Sequence, residues 1–273
     1  MIPLHDHNPT RRRAWVTVGL ILGCVAVYFG VQPVGRAFVG RTTDPSTSAS
    51  CADLKFNLDH AAIPGELTSG HAYAPATRRA ELRQVHCPAG ALPAKNIWLS
   101  VLVSIFLHGG LLHLGGNMLF LWIFGNNVED RLGRIRYLLF YLAAGVAATI
   151  TQVALDPSSP VPLIGASGAI AGVMGAYLVL YPKVRIKTLV LLVFVPIIFD
   201  LRAFWWLGIW FISQFFVSPS SGVAWAAHVG GFAFGLVVGL VVRLTSRRSL
   251  PPAPPSRRRR GRGRARRAGQ PVW

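Results

Sequence analysis

The sequence predicts an all-α polytopic membrane protein with six transmembrane helices. Of its 273 residues, 52% are hydrophobic and only 14% are charged, and the mean hydropathy is positive, which is typical of a membrane-embedded chain. Six apolar runs are interpreted as crossings of the ~30 Å hydrocarbon layer. The placement of Lys and Arg in the loops between these runs supports the same number of crossings.

The predicted spans, in chain order, are 14–31, 109–126, 137–155, 163–181, 203–217 and 223–242. The first run is too long for a typical signal-peptide core and has no clear cleavage site, so we expect it to be a retained span. Residues 96–107 are apolar but too few to cross, which predicts an interfacial or re-entrant piece. Thr188–Phe199 is broken by Pro196. We expect it to lie in the interface, with both flanks on one side.

The loops predict both the orientation and the domain organisation. With a cytoplasmic N-terminus, the short basic loops fall inside, and the loops 156–162 and 218–222, which contain no Lys or Arg, fall outside. Six spans then keep both basic termini in the cytoplasm, and the absence of a transit peptide suggests a bacterial cell membrane. The sequence thus predicts five parts: a cytoplasmic tail (1–13), the first span (14–31), a long extracytoplasmic loop or small subdomain (32–95), the core (96–243) and an Arg/Pro-rich cytoplasmic tail (244–273).

The net charge of +18 is concentrated at the C-terminal end. Eleven arginines and no acidic residue lie between Arg243 and Trp273. This pattern predicts a tail that touches anionic lipid and argues against specific binding of nucleic acid. The three cysteines form no metal motif, and we expect no metal or cofactor. Cys51 and Cys87 share the long loop, where an oxidising exterior favours a disulfide between them.

Four polar residues are placed inside apolar runs, where such groups are expensive and usually functional. Ser167 lies in the stretch Gly-Ala-Ser-Gly, and taken alone it is more easily explained as a small residue for helix packing. His228 changes that interpretation, because each of the two residues is predicted ~7 Å below the outer end of its span. His113 and Asn117 fall at ~6 Å and ~12 Å by the same rise, on one face of their span.

The four residues Ser167, His228, His113 and Asn117, here called the polar layer, are of the types that acyl transfer needs. A serine hydroxyl needs a base to take its proton, and a neutral histidine is the usual one. An asparagine amide, a histidine N–H and the backbone N–H of the serine could then stabilise an oxyanion. Small residues at four-residue spacing favour close approach of the two helices; they are Gly168, Gly172, Gly231, Gly235 and Gly239. The spans carry no Asp or Glu at this level, which predicts a Ser–His dyad. Gln152 and Gln214 are interpreted as interhelical contacts, and Trp205, Trp206 and Trp210 as interfacial or lipid-facing aromatics.

The pattern resembles the rhomboid family of intramembrane serine proteases over residues 98–242. Four stretches carry the resemblance, in the family's order: His108-Gly-Gly-Leu-Leu-His113-Leu-Gly-Gly-Asn117, Glu129-Asp-Arg-Leu-Gly133, Gly165-Ala-Ser-Gly168, and Ala227-His228 followed by Gly231 and Gly235. Some members carry a tyrosine four residues after the serine, stacked on the histidine. That position is Ala171 here.

The resemblance implies a six-helix rhomboid-like bundle and an assignment of roles. Ser167 would be the nucleophile and His228 the general base and acid. His113 and Asn117 would line the oxyanion hole. Glu129 and Arg131 would form a structural charge pair. The implied substrates are transmembrane proteins, cleaved in or beside a helix in the lipid bilayer.

Two other interpretations are compatible with the sequence. One is a proteolytically silent member of the same fold that binds or escorts membrane proteins, although silent relatives usually lack one of the catalytic residues. The other is a transporter with the polar layer as its solute site. That reading predicts charges or broken helices at the midplane, whereas this layer is predicted nearer the outer side.

Overall fold

A computed structural model of the protein describes residues 1–33, 49–84, 86–88, 94–192, 195–218 and 222–247. The elements in order are β1 (Ile2–Asp6), α1 (Trp15–Gly30), α2 (Ala49–His60), α3 (Pro64–Ser69), α4 (Pro75–Gln84), α5 (Ile97–Ser104), α6 (Leu111–Phe120), α7 (Asn126–Leu132), α8 (Arg134–Leu155), α9 (Ser167–Leu180), β2 (Arg185–Leu192), β3 (Val195–Arg202), α10 (Ala203–Ser213) and α11 (Trp225–Arg247). A π-helical turn (Leu121–Gly125) joins α6 to α7, and a 3₁₀ turn (Gln214–Phe216) extends α10.

Each of the six predicted spans contains a helix. Two helices, Arg134–Leu155 and Trp225–Thr245, are long and apolar enough to cross a membrane by length and composition. Three shorter apolar helices are Trp15–Gly30, Ser167–Leu180 and Ala203–Phe216. The remaining predicted span corresponds to the composite helix formed by α6, the π-turn and α7.

Helix α9 is the centre of the bundle. Every residue from Gly168 to Tyr177 is buried, and α9 packs more extensively against α11 than any other pair of described elements does. The glycines permit this contact. A Cβ added at Gly172 would meet the Cβ of Ala144 on α8, and one at Gly175 would overlap the carbonyl oxygen of Phe232 on α11. The predicted small-residue stripes are therefore helix contacts.

Two helix starts differ from the prediction. The fourth span was predicted from Leu163, but α9 begins at Ser167, because Leu163 forms an isolated antiparallel bridge with Ala62 instead. The sixth span was predicted from Val223, and α11 begins at Trp225. Ser167 is therefore the first residue of its helix, not the fifth.

The all-α prediction is wrong at a three-stranded antiparallel sheet of order β1-β2-β3. Strands β2 and β3 lie in the stretch that was expected to be interfacial, and they pair from Arg185 opposite Arg202 to Leu192 opposite Val195. The hairpin keeps the two charged flanks together, as predicted. The β-branched residues of this stretch favour strands. The apolar run obscures the alternation of burial, in which the buried Ile186 and Thr188 lie on either side of the exposed Lys187.

The predicted N-terminal tail is also partly wrong, because β1 is the third strand of this sheet. Its residue Asp6 is buried and accepts hydrogen bonds from Tyr177 Oη (2.6 Å) and Asn127 Nδ2 (2.8 Å). Burial raises the pKa of the Asp6 carboxyl above its ordinary value, and the bond from Tyr177 opposes that rise. The N-terminus is thus fixed to the end of the bundle opposite Ser167.

The long segment after α1 forms a small helical subdomain from α2 to α4 where the structure describes it. The predicted disulfide is confirmed, joining Cys51 to Cys87. Leu58, Ile63 and Leu82 pack beside the disulfide as a separate apolar cluster. The cluster is accompanied by two buried ion pairs, Arg78–Asp59 and Lys95–Glu66, the latter at 2.6 Å.

The C-terminal tail was predicted to begin at residue 244. Helix α11 instead continues to Arg247, because the apolar run ends in Leu244 and Thr245, which extend its last turn. The tail's proposed lipid contact falls on residues 248–273, outside the described residues.

Candidate active site

Ser167 stands at the N-terminus of α9, where the chain turns sharply into the helix. Gly165 has φ of +121°, a backbone conformation that residues with a Cβ rarely adopt. Ala166 is the N-cap, so the N–H groups of the following first turn have no partner within the helix. The turn therefore presents a serine hydroxyl and backbone donors at one point.

His228, on the first turn of α11, faces Ser167 directly. Its Nε2 lies 2.8 Å from Ser167 Oγ. The approach depends on glycine, because a Cβ at Gly231 would overlap the carbonyl oxygen of Gly168. An imidazole nitrogen at this distance can take the proton of the hydroxyl and return it later to a leaving group.

His113 lies on the other side of the serine. The Gly109 N–H donates to His113 Nδ1 at 3.3 Å, which leaves Nε2 as the protonated nitrogen. That edge of the ring points at the turn before Ser167. A Cβ built at Gly165 would be 2.9 Å from His113 Nε2 and 3.6 Å from Ser167 Oγ. His113 therefore has an N–H donor beside the serine.

Asn117 is one helical turn further along α6, on the same face as His113. The side chain is 8% exposed, and its Nδ2 has no hydrogen-bond partner among the described residues. A buried amide donor without a partner costs free energy, and such groups are retained where a ligand or a transient charge satisfies them. The structure brings all four residues of the predicted polar layer to one end of the bundle.

His108 is fully buried beside this group without touching Ser167. Its Nδ1 is 3.3 Å from the carbonyl oxygen of Phe106, and its ring meets that of His113 edge to face with centroids 5.3 Å apart. Its backbone N–H and C=O form a reciprocal pair of bonds with the side chain of Gln32. His108 therefore packs against His113 and supports it. Within the described ranges, no three His, Cys, Asp or Glu side chains are grouped to hold a metal ion.

Two residues contact His228, a partner that the sequence does not predict for either of them. The interhelical contact predicted for Gln214 is confirmed, because its Oε1 lies 2.7 Å from His228 Nδ1 on α11. Trp210 was interpreted as interfacial or lipid-facing, and its ring packs on His228 with centroids 5.9 Å apart. The available signal was their spacing, because i and i+4 share one face of a helix. Which partner that face meets depends on how α10 is rotated, and sequence alone does not give that rotation.

A small cavity of about 40 Å³ opens beside the serine. Its wall is formed mostly by residues with little or no side chain, which are Gly145, Ala148, Gly165, Gly168, Ala169, Ala224 and Ala227. Ser104 and Thr149 add two hydroxyl groups to this wall. A space of this size beside Ser167 suits a group no larger than a few heavy atoms.

The sequence matches the Rhomboid domain family over residues 95–245, which is more than half of the chain and includes all four residues of this group. The chain belongs to the rhomboid family. Rhomboid proteins are integral membrane proteins, so the apolar bundle lies in a bilayer. The family assignment covers α5 to α11 and excludes the subdomain formed by α2 to α4.

Several curated rhomboid proteins are similar to this chain. It is 46% identical over 88 residues to the rhomboid protease GluP of Bacillus subtilis, which covers 32% of this chain and 17% of that protein. It is 36% identical over 85 residues to the putative rhomboid protease YdcA of the same organism, covering 31% and 42%. Rhomboid protein 1, mitochondrial, of Saccharomyces cerevisiae is 29% identical over 150 residues, covering 52% and 41%. The chain thus spans less than half the length of these relatives.

The charge pair predicted between Glu129 and Arg131 is wrong, because Glu129 has a different partner. Glu129 and Arg131 were expected to pair, but their side chains form no ion pair within 4 Å, because residues two apart point away from each other on a helix. The Glu129 carboxylate accepts instead from the backbone N–H groups of Val16 and Thr17 and from Thr17 Oγ1, at 2.8–3.0 Å. Glu129 therefore anchors the N-terminus of α1, where the helix dipole favours negative charge.

Proposed function

We propose that this rhomboid protein is an intramembrane serine endopeptidase that uses Ser167 as nucleophile and His228 as general base and acid. The single observation that supports this best is the 2.8 Å approach of His228 Nε2 to Ser167 Oγ from two different helices. Proteases named among its relatives include GluP and YdcA. The reaction is hydrolysis of a peptide bond through an acyl-enzyme.

In the first step Ser167 Oγ attacks the substrate carbonyl carbon while His228 Nε2 takes the hydroxyl proton. The tetrahedral oxyanion is stabilised by the Nε2–H of His113, the Nδ2–H of Asn117 and the backbone N–H of Ser167. His228 then gives its proton to the leaving amine, and water hydrolyses the ester by the reverse roles. The unpartnered Asn117 amide supports this assignment, because the oxyanion would supply the acceptor that it lacks.

The substrates are transmembrane proteins, cleaved in or beside a helix. The narrow cavity beside Ser167 favours a small side chain at the bond that is cut. In the proposed topology the six helical segments cross the membrane, both termini are cytoplasmic, and Ser167 lies near the outer face of a bacterial cell membrane. The catalytic core comprises residues 96–243, with the insertion of residues 32–95 outside the membrane.

The test is labelling of the detergent-purified protein with a serine-reactive fluorophosphonate, together with cleavage of a transmembrane substrate. We expect both activities in the wild type, and their loss in Ser167→Ala and His228→Ala variants that still fold. Asn117→Ala should label more slowly by about 10²–10³-fold, as for loss of one oxyanion donor. A folded wild type that neither labels nor cleaves would refute the proposal and favour a silent protein that binds membrane proteins.

A further inference from the structure

We propose that Gln214 is a positioning residue that holds His228 in the tautomer needed to act as a base. The inference rests on the proposed function, and it replaces the dyad expected from the sequence with a three-residue Gln–His–Ser chain. The chain runs from Gln214 Oε1 to His228 Nδ1 at 2.7 Å, and from His228 Nε2 to Ser167 Oγ at 2.8 Å.

Besides a contact of its Nε2 with Ser213 Oγ at 3.3 Å, the Gln214 amide has a backbone contact that fixes its orientation. Its Nε2 lies 3.1 Å from the carbonyl oxygen of Trp210, and a carbonyl oxygen can only accept a hydrogen bond. The amide nitrogen must therefore face Trp210, which leaves Oε1 to face His228. Because Oε1 is also only an acceptor, the proton of the neutral imidazole lies on Nδ1. Nε2 is then free to accept the proton of Ser167.

The surroundings of the pair hold this geometry. Gln214 is 6% exposed, so water does not compete strongly for its hydrogen bonds. Trp210, one turn earlier on the same face of α10, packs its ring against the imidazole with centroids 5.9 Å apart. The imidazole thus meets α10 twice, through a hydrogen bond at its edge and an aromatic contact on its face.

A neutral amide suits this position better than the carboxylate that serine hydrolases in water use. A charged side chain within a membrane helix costs about 2.5–3.5 kcal/mol on insertion scales, whereas an amide brings the same acceptor atom without a charge. Gln214 therefore orients the base in an apolar layer where an Asp or Glu would be expensive. Its effect on the rate is correspondingly smaller than that of a triad carboxylate.

The first arm of the test removes the acceptor and then restores it. Gln214→Met keeps the length of the side chain but has no oxygen. We expect kcat and the rate of fluorophosphonate labelling to fall about 10–100-fold, as for loss of an orienting group on a functional histidine, with KM and the thermal midpoint changed little. Gln214→Glu supplies an oxygen in either protonation state, and a protonated carboxyl also donates to Trp210. We expect this variant to recover most of the rate.

The matched control is Gln152→Met. Gln152 is another single amide in this end of the bundle, and its Oε1 accepts from the backbone N–H of Ala227 at 3.2 Å without touching the imidazole. The Gln152→Met variant should lower the thermal midpoint at least as much as Gln214→Met does, but its rate of labelling should fall less. A loss of rate that merely follows stability in all three variants would overturn the positioning role.

The second arm does not require activity. In histidine-¹⁵N-labelled protein, with the signals of His228 assigned by comparison with His228→Ala, we expect the proton on Nδ1 in the wild type and a mixture of tautomers in Gln214→Met. A wild type that does not label but keeps the Nδ1–H form would refute the protease and leave the positioning inference standing. A reactive wild type whose Gln214→Met variant keeps both the labelling rate and the Nδ1–H form would overturn the inference alone.

Discussion

The approach of α9 to α11 brings Ser167 and His228 into contact, and Gly235→Ala tests how closely the chemistry depends on it. A Cβ at Gly235 would overlap the carbonyl oxygen of Gly172 and lie 2.7 Å from the carbonyl carbon of the same residue. Carbon atoms pack at about 3.5 Å or more, so the carbon contact alone requires the helices to separate by about 0.8 Å. The overlap with the oxygen is tighter and requires a larger separation. Neither contact can yield by a side-chain rotation, because the atoms that it meets belong to the backbone.

The displacement reaches the contact between Ser167 and His228 because His228 is on the same helix, about 10 Å along its axis from Gly235. A misplacement of 1 Å can cost about 10² in rate, so we expect labelling by the fluorophosphonate to slow by about 10²-fold or more. Overpacking of this kind also destabilises by about 1–3 kcal/mol. Both quantities are measured on the same preparation, the first by time-resolved labelling and the second by denaturation in detergent.

The matched control is Gly19→Ala, because a Cβ at Gly19 on α1 meets nothing within 4 Å. Removing a glycine from a helix interior at an open position should stabilise the protein by up to about 1 kcal/mol and leave labelling unchanged. If Gly235→Ala labels at the wild-type rate, the contact between the two helices does not set the catalytic distance, and the reasoning is refuted.

Three further predictions concern regions away from the serine. Asp6→Asn should keep both hydrogen bonds at residue 6 and flatten the pH dependence of stability. Burial raises the pKa of the Asp6 carboxyl, so the free energy of unfolding of the wild type should fall as the pH rises from the ordinary pKa of an aspartate through the raised pKa of the folded protein. Denaturation at several pH values would test this. Lys95→Ala should destabilise the subdomain by about 3–5 kcal/mol, measured by limited proteolysis, because it leaves the buried Glu66 carboxylate unpaired; no change in protease sensitivity would contradict this. Denatured, unreduced protein should contain one free thiol, and the Cys51→Ser, Cys87→Ser double variant should lose about 4 kcal/mol for a separation of 36 residues.

The helices and the four polar residues of the site could be predicted because their signals are local. Each predicted span contains an apolar run, and the stretches around Ser167 and His228 have the glycines that close approach needs. The order of the motifs then fixed the family resemblance. These features depend on neighbours within a few residues, so they can be predicted from local sequence.

The features that were missed depend on partners far away in the chain. Strand β2 pairs with β1, about 180 residues earlier, and an apolar stretch gives no sign of such a partner. Glu129 pairs with the N-terminus of α1 and not with Arg131, because the packing of α7 against α1 determines which groups its carboxylate meets. Gln214 reaches His228 only through the rotation of α10. In each case tertiary packing selected the contact, and spacing along the chain could not.

The insertion that precedes the family domain is linked to the turn before Ser167 by a short series of hydrogen bonds. The N–H of Leu163 donates to the carbonyl oxygen of Ala62 at 2.7 Å, and Ala62 N–H donates to Ser104 Oγ at 2.7 Å. The carbonyl oxygen of Ser104 accepts in turn from the N–H of Gly165 at 3.0 Å. Gly165, the positive-φ glycine before Ser167, is thus held by a residue outside α9. Weakening the subdomain should therefore loosen this turn before it disturbs the contact between α9 and α11.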